Sequence, residues 1–299
     1  MRLKEGYILL KMPNNEEIKT IPLSHPLKMF FWEIFLFSLT LILGIFAAFK
    51  INRYFIQEEV TVTPIPPSNF LLTFFITTAG LFILLKFLRF EKGKAAFLKI
   101  LFSLSFFLGG LLLFNTWLNL IPSFLLITIL IFWWLKSPSV LNQNLLMIFG
   151  MAGIGAVLGL KLTPQMLVII LIILSIYDWI AVYKTKHMVR MARAMIEMGV
   201  ISAIVIPQSI SGFKSSLEKV KPGGEFLVLG GGDIVLPLLF SVSMIPFGIL
   251  KSSIIALFSL FGLFANFYIF IKQKERKPMP ALPLISLFSI IGYLITLVI

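Results

Sequence analysis

A chain of 299 residues that is 59% hydrophobic and 13% charged, with a mean hydropathy of +1.00, carries more apolar surface than a soluble domain of its size can bury. It reads as an all-α polytopic membrane protein, and its continuous apolar runs exclude a β-barrel, which needs alternating segments of about ten residues. A net charge of +13 raises a nucleic-acid partner, but the basic residues lie in short loops between apolar runs, as membrane topology requires, and the lack of cysteine excludes disulfides, thiol nucleophiles and cysteine-bound metals.

Residues 1–26 carry Arg2, Lys4, Lys11 and Lys19. Tyr7–Met12 and Glu16–Ile21 flank Pro13-Asn14-Asn15, the pattern of a small hairpin at the membrane surface. No cleavable leader is expected, because the first apolar run is too long for one and follows polar and mixed sequence. Apolar runs come next at about 27–49, 69–88, 96–115, 118–135, 140–160, 163–183, 226–246, 250–271 and 280–298. At about 1.5 Å per residue each covers most or all of a hydrocarbon core of about 30 Å, which predicts nine transmembrane helices.

Lys and Arg set the orientation. With the N-terminus in the cytoplasm, 22 of the 26 fall on cytoplasmic segments, and only Lys50, Arg53, Lys161 and Lys251 lie outside. That bias predicts an N-terminus inside and a C-terminus outside, in a cell membrane.

The chain has two aspartates, each in an apolar run. Asp178 lies in Ser175-Ile176-Tyr177-Asp178-Trp179, near the cytoplasmic end of the sixth run. Asp233 follows Gly230-Gly231-Gly232 near the cytoplasmic end of the seventh. An ionisable group at such depth is costly enough to be functional by default. Equal depth on consecutive antiparallel helices allows the two to meet, whereas the bland alternative is a polar contact that only holds two helices together. Two carboxylates a few Å apart in a dry site share one proton, so one can act as general base on water and the other as general acid on an amide carbonyl. No metal and no cofactor is needed. Gly230, Gly231 and Gly232 leave room beside Asp233 for a neighbouring helix or an extended backbone, and weaken the helix there.

The longest polar segment, 184–225, connects these runs. Met188, Met191, Met195 and Met198 recur at helical spacing and predict an amphipathic interfacial helix, with a Met-lined entrance for a hydrophobic polypeptide as the sharper reading. Val200–Ile206 is β-branched and could extend as a strand. Pro280-Ala281-Leu282-Pro283 opens the ninth run at the depth of the aspartates, with two prolines favouring a non-helical entry. Tyr177, Trp179 and Tyr183 read as interfacial anchors, Tyr177 also as a group that could orient Asp178. Glu33 lies near a helix end from which it could snorkel, and is assigned no catalytic role. Gly150, Gly153, Gly155 and Gly159 read as a packing face.

Tyr177-Asp178, Gly230-Gly231-Gly232-Asp233 and Pro280-Ala281-Leu282, in this order over essentially the whole chain, resemble the presenilin and signal-peptide-peptidase family of intramembrane aspartyl proteases. The resemblance implies an aspartic endopeptidase that cuts transmembrane segments of membrane proteins within the lipid bilayer. It implies Asp178 and Asp233 as the catalytic pair, with Tyr177, the three glycines, Pro280, Ala281 and Leu282 shaping the site. It also implies that Val200–Ile206 or Glu225–Leu229 pairs with an unwound substrate as a β-strand. The orientation matches the presenilin-like branch, whose substrates have their N-terminus outside. Without long inserts or tails, the chain is similar to compact archaeal homologues that work without obligate partner subunits. On this reading 1–183, 184–225 and 226–299 form one integrated membrane domain. Two rival readings are an ion- or proton-coupled transporter using the same carboxylates, and a prepilin peptidase, which shares Gly-x-Gly-Asp but needs no Pro-Ala-Leu.

Overall fold

The computed structural model describes residues 8–11, 17–20, 26–61, 63–87, 91–185, 188, 195–196, 199, 201–220, 225–273 and 278–299. Among them are nine helices of 13 residues or more: α1 (Pro26–Gln57), α2 (Pro67–Phe87), α3 (Glu91–Asn115), α4 (Leu120–Lys136), α5 (Val140–Lys161), α6 (Pro164–Trp179), α7 (Gly231–Ser243), α8 (Ile249–Lys272) and α9 (Leu282–Val298). Five helical stretches are long and apolar enough to cross a membrane: α1, most of α3, α5, α6 with its extension to Lys184, and α8; α4, α7 and α9 are shorter and equally apolar.

Each helix forms from sequence that is apolar on all sides. On α1, Met29, Leu36, Phe37, Thr40, Leu41 and Gly44 are buried at spacings of three and four, while Phe31, Phe35, Ile42 and Phe46 on the other side stay exposed. Only hydrocarbon is a compatible solvent for such a face. Several hydroxyls in the interior bond to carbonyls three or four residues back in their own helix: Thr40 to Leu36, Ser241 to Pro237, Ser259 to Ala256, Ser289 to Ile285 and Thr296 to Tyr293.

The centre of the bundle is α5, packed against α1, α3 and α7. Its glycine face divides in two. A Cβ on Gly153 would collide with the α3 backbone at Gly109, and one on Gly159 would stand 2.6 Å from the Val242 side chain of α7. Across α7, Leu238 fills the gap left by Gly44 of α1, where a Cβ would approach it to 2.7 Å. Small residues thus bring backbones close where no hydrophobic effect drives helices together. Two C-terminal helices, α8 and α9, pack along their length through Gly262 against Ile285 and Gly292 against Phe258.

Two short sheets interrupt the helical pattern. β1 (Ile8–Lys11) and β2 (Glu17–Thr20) pair antiparallel with Ile8 opposite Thr20, as the hairpin pattern predicts; the turn between them lies outside the described residues. β3 (Ala203–Pro207) and β4 (Phe226–Gly230) pair antiparallel with Ala203 opposite Gly230. The seventh apolar run is therefore not one helix: its first residues, Phe226–Gly230, are strand, and α7 starts only at Gly231. The cause is Gly230-Gly231-Gly232, which cannot carry a helix backward into a β-branched and apolar segment that finds β3 as a partner. The amphipathic helix expected at Met188–Met198 falls on residues that, save 188 and 195–196, lie outside the described ones.

Candidate active site

Asp178 stands in the last turn of α6, which continues as a π-turn over Ile180–Lys184 closed by the Thr185 N–H on the Ile180 carbonyl at 3.0 Å. Its side chain is 4% exposed, and Oδ2 has no hydrogen-bond partner among the described residues. The carboxylate does not stand alone, because the backbone N–H of Leu282, at the start of α9, is in reach as a donor. The Leu282 side chain is buried, in an apolar cluster that also includes Leu171 of α6 and Leu239 and Phe240 of α7. α9 packs against both aspartate-bearing helices, and the backbone of one residue of the Pro-Ala-Leu stretch turns on one of their acids. Pro280 and Ala281 are buried beside it, and the helix begins only after them.

Asp233 is held differently. Gly230 caps α7 with φ −59° and ψ 140°, and the Gly230 N–H is the donor facing the Asp233 carboxylate three residues on. That is one half of a capping box, in which an acid in the first turn returns to the capping residue's own N–H. Pro237 has no N–H to give to the Asp233 carbonyl four residues before it, so the backbone on the other side of the acid is loosened too. Asp233 is half-buried. Its carboxylate and that of Asp178 are near enough for their charges to act on each other.

The three glycines differ in what surrounds them. At Gly230 a Cβ would stand 2.9 Å from Asp233 Oδ2, and at Gly231 it would meet Met147 Cε at 3.0 Å and the Ser202 carbonyl at 3.2 Å. At Gly232, which is exposed, it would meet nothing within 4 Å. The first two fix the acid and the third leaves space open.

A family model described as signal-peptide peptidase, presenilin aspartyl protease matches residues 33–299. The chain belongs to this family. Two solved structures of a presenilin family intramembrane aspartate protease, in C222 and P2 crystal forms, share its fold. The first is 20% identical, with a TM-score of 0.62 over 90% of this chain and 98% of that one. The second is 19% identical, with a TM-score of 0.58 over 88% and 96%. No curated protein matches the chain. It is a multi-pass membrane protein of the presenilin type.

Within this presenilin-type site, Tyr177 beside Asp178 is 57% exposed, Trp179 and Tyr183 are 46% and 45% exposed, and the Asp178 charge reaches Tyr183. Two groups enter that sequence reasoning passed over. Glu33 on α1 does not snorkel; it is 3% exposed, its Oε2 has no hydrogen-bond partner among the described residues, and the Asp233 charge reaches it. Its signal was present, since Glu33 is an acid inside an apolar run, but the helix end on which it sits is covered by the bundle. The second group is Asn142-Gln143-Asn144, all buried at the head of α5. Three adjacent amides opening a membrane helix could have been noticed as a polar platform.

Proposed function

We propose that the chain is an intramembrane aspartyl endopeptidase of the Gly-x-Gly-Asp type, with Asp178 and Asp233 as its catalytic pair. The observation that carries this reading is the convergence of both carboxyls with the Leu282 backbone from three separate helices. One carboxylate takes a proton from water as its oxygen attacks the substrate carbonyl carbon; the other, protonated, gives its proton to the carbonyl oxygen. Collapse of the tetrahedral gem-diol breaks the C–N bond: the nitrogen leaves with the proton taken from water, a hydroxyl of the intermediate returns its proton to the other carboxylate as the new carbonyl forms, and the dyad again holds one. Gly230, Gly231, Gly232, Pro280, Ala281 and Leu282 shape the site. An unwound transmembrane segment is the substrate. Its strand adds to the free edge of β4, a reading supported by Val228, 38% exposed on that strand.

On the same reading the nine helices cross the cell membrane with the N-terminus inside and the C-terminus outside, as one integrated domain over 1–183, 184–225 and 226–299. The enzyme acts without partner subunits, metal or cofactor. The family match supports hydrolysis over ion relay.

The test is cleavage of a transmembrane peptide by the purified protein in detergent, read by mass spectrometry beside Asp178→Asn and Asp233→Asn. Product from wild type alone, cut inside the apolar segment, is expected. Cleavage retained in either variant would overturn the mechanism. The rate should also rise and fall with pH around the two macroscopic steps of the pair, because the working form holds one proton; a rate flat from acid to neutral pH would contradict a shared proton.

A further inference from the structure

Among the described residues β3 and β4 form a two-stranded sheet, and a sheet of two strands has two edges to satisfy. The ladder fixes what each edge presents. The Gly231 N–H bonds to the Ser202 carbonyl at 3.0 Å, one step beyond the Gly230–Ala203 pair. Bonded and unbonded pairs alternate in an antiparallel ladder, so Leu229 with Ile204 and Leu227 with Ile206 bond to each other. Val228 and Val205 then turn their N–H and C=O away from each other, one to each edge.

The two edges do not meet the same fate. On the β3 side, the Asn144 side chain accepts from the Val205 N–H at 2.9 Å and donates to the Val205 carbonyl at 2.7 Å. A primary carboxamide has an acceptor and a donor side by side, so it answers both groups of one strand residue as a neighbouring strand would. Gln143 Nε2 donates to the Ile201 carbonyl just before β3. After the strand, the Val140 N–H bonds to the Ser215 carbonyl at 3.0 Å and the Leu217 N–H to the Pro138 carbonyl at 3.2 Å. The head of α5 therefore grips the segment before, along and after β3. Ile204, Val205 and Ile206 are wholly buried, at 1%, 0% and 0% exposure.

We propose that Asn144 is a positioning residue of this site: its amide closes the outer edge of β3, fixes the β3–β4 register that sets Gly230 and Asp233, and leaves the β4 edge for an incoming strand. The last clause rests on the proteolytic reading above; the clamp and the register do not. Without the amide, Val205 keeps two buried groups unpaired, and slippage of β3 moves Gly230 off its place as the cap on Asp233.

Two measurements on the full chain in detergent test this. Asn144→Leu keeps the branched shape, though larger, and loses both bonds; Asn144→Asp keeps an acceptor and loses the donor. The first readout is amide hydrogen exchange over 203–207 and 226–230, which needs no activity. Exchange in both strands should speed up about tenfold or more in Asn144→Leu, and less in Asn144→Asp. Unchanged exchange in both variants would overturn the proposal. The second readout is the product map on a transmembrane peptide. One cut should spread to neighbouring bonds and turnover fall about tenfold in Asn144→Leu. A disulfide across an unbonded pair, from Pro207→Cys with Phe226→Cys in this cysteine-free chain, should gather the cuts again when oxidised and scatter them when reduced. Cuts that stay scattered under the oxidised bridge would show that Asn144 does not act through register. If wild type itself cuts nothing, the proteolytic reading fails, and the exchange experiment still decides the clamp.

Discussion

The end of α6 and the start of α7 each present one carboxyl, and they do so by opposite means. Asp178 is placed by packing: it is buried in a helix that runs on through a π-turn, one oxygen lacks a partner among the described residues, and the donor facing it comes from the start of α9. Asp233 is placed by local sequence: Gly230 three residues before it supplies the capping N–H, and a strand-to-helix junction sets its position. One acid thus depends on distant segments and the other on its own neighbours. Removing each should therefore cost activity alike and stability unequally.

The sharpest way to break this comparison is the pair Asp178→Asn and Asp233→Asn. Both should lower peptide cleavage by at least about a thousandfold, the upper range for a general acid or base. Thermal unfolding should separate them. Asp233→Asn loses a charged first-turn cap and about 1 kcal/mol. Asp178→Asn has no first-turn cap to lose, and since either change relieves the mutual repulsion of the pair, it should melt higher than Asp233→Asn. Equal destabilisation in both would dissolve the distinction.

Leu282→Ala comes next. It opens a cavity in the buried cluster that α9 shares with α6 and α7 and should cost about 2–5 kcal/mol, with turnover falling because the residue 282 N–H that faces Asp178, which alanine keeps, is no longer held in place by the side chain. Wild-type turnover at unchanged stability would show that this side chain has no part in aligning the acids. Gly230→Ala presses a methyl on Asp233 Oδ2 and should cost about 1–3 kcal/mol, expressed chiefly in turnover. The same change at Gly232, where space is open, should leave folding intact or strengthen α7 by up to about 1 kcal/mol; a substrate-specific rise in KM there would mark the space as the substrate's. Glu33→Gln keeps the shape and removes a third buried acid, so a stability gain of about 1 kcal/mol in thermal melts is expected. Smallest of all, Tyr177→Phe on the exposed side of α6 should change stability by under about 0.5 kcal/mol and cleavage by less than twofold. A large loss there would return Tyr177 to the site.

Much of the fold was legible in the chain because membrane solvent leaves few options. A long apolar run must satisfy its backbone internally, so each of the nine runs holds a helix among the described residues. The hairpin of β1 and β2 and the packing role of the α5 glycines followed from equally local rules. The two aspartates were legible for the same reason, since a charge in hydrocarbon has to be explained. The start of α7 was misjudged, because apolar residues in a buried strand and in a membrane helix look alike until a pairing partner is known.

What the sequence by itself determined is therefore the list of helices and the identity of the unusual acids: periodicity, length and the cost of burying charge act on each segment alone. Tertiary structure decided the rest. It brought Leu282 to Asp178, buried Glu33 that a lone helix end would have let reach water, left Tyr177 exposed, and set the Asn144 amide on a strand 61 residues further along the chain. Those outcomes depend on which faces meet, and between apolar faces in a membrane the choice is made by fit and by a few hydrogen bonds, neither of which a single segment carries.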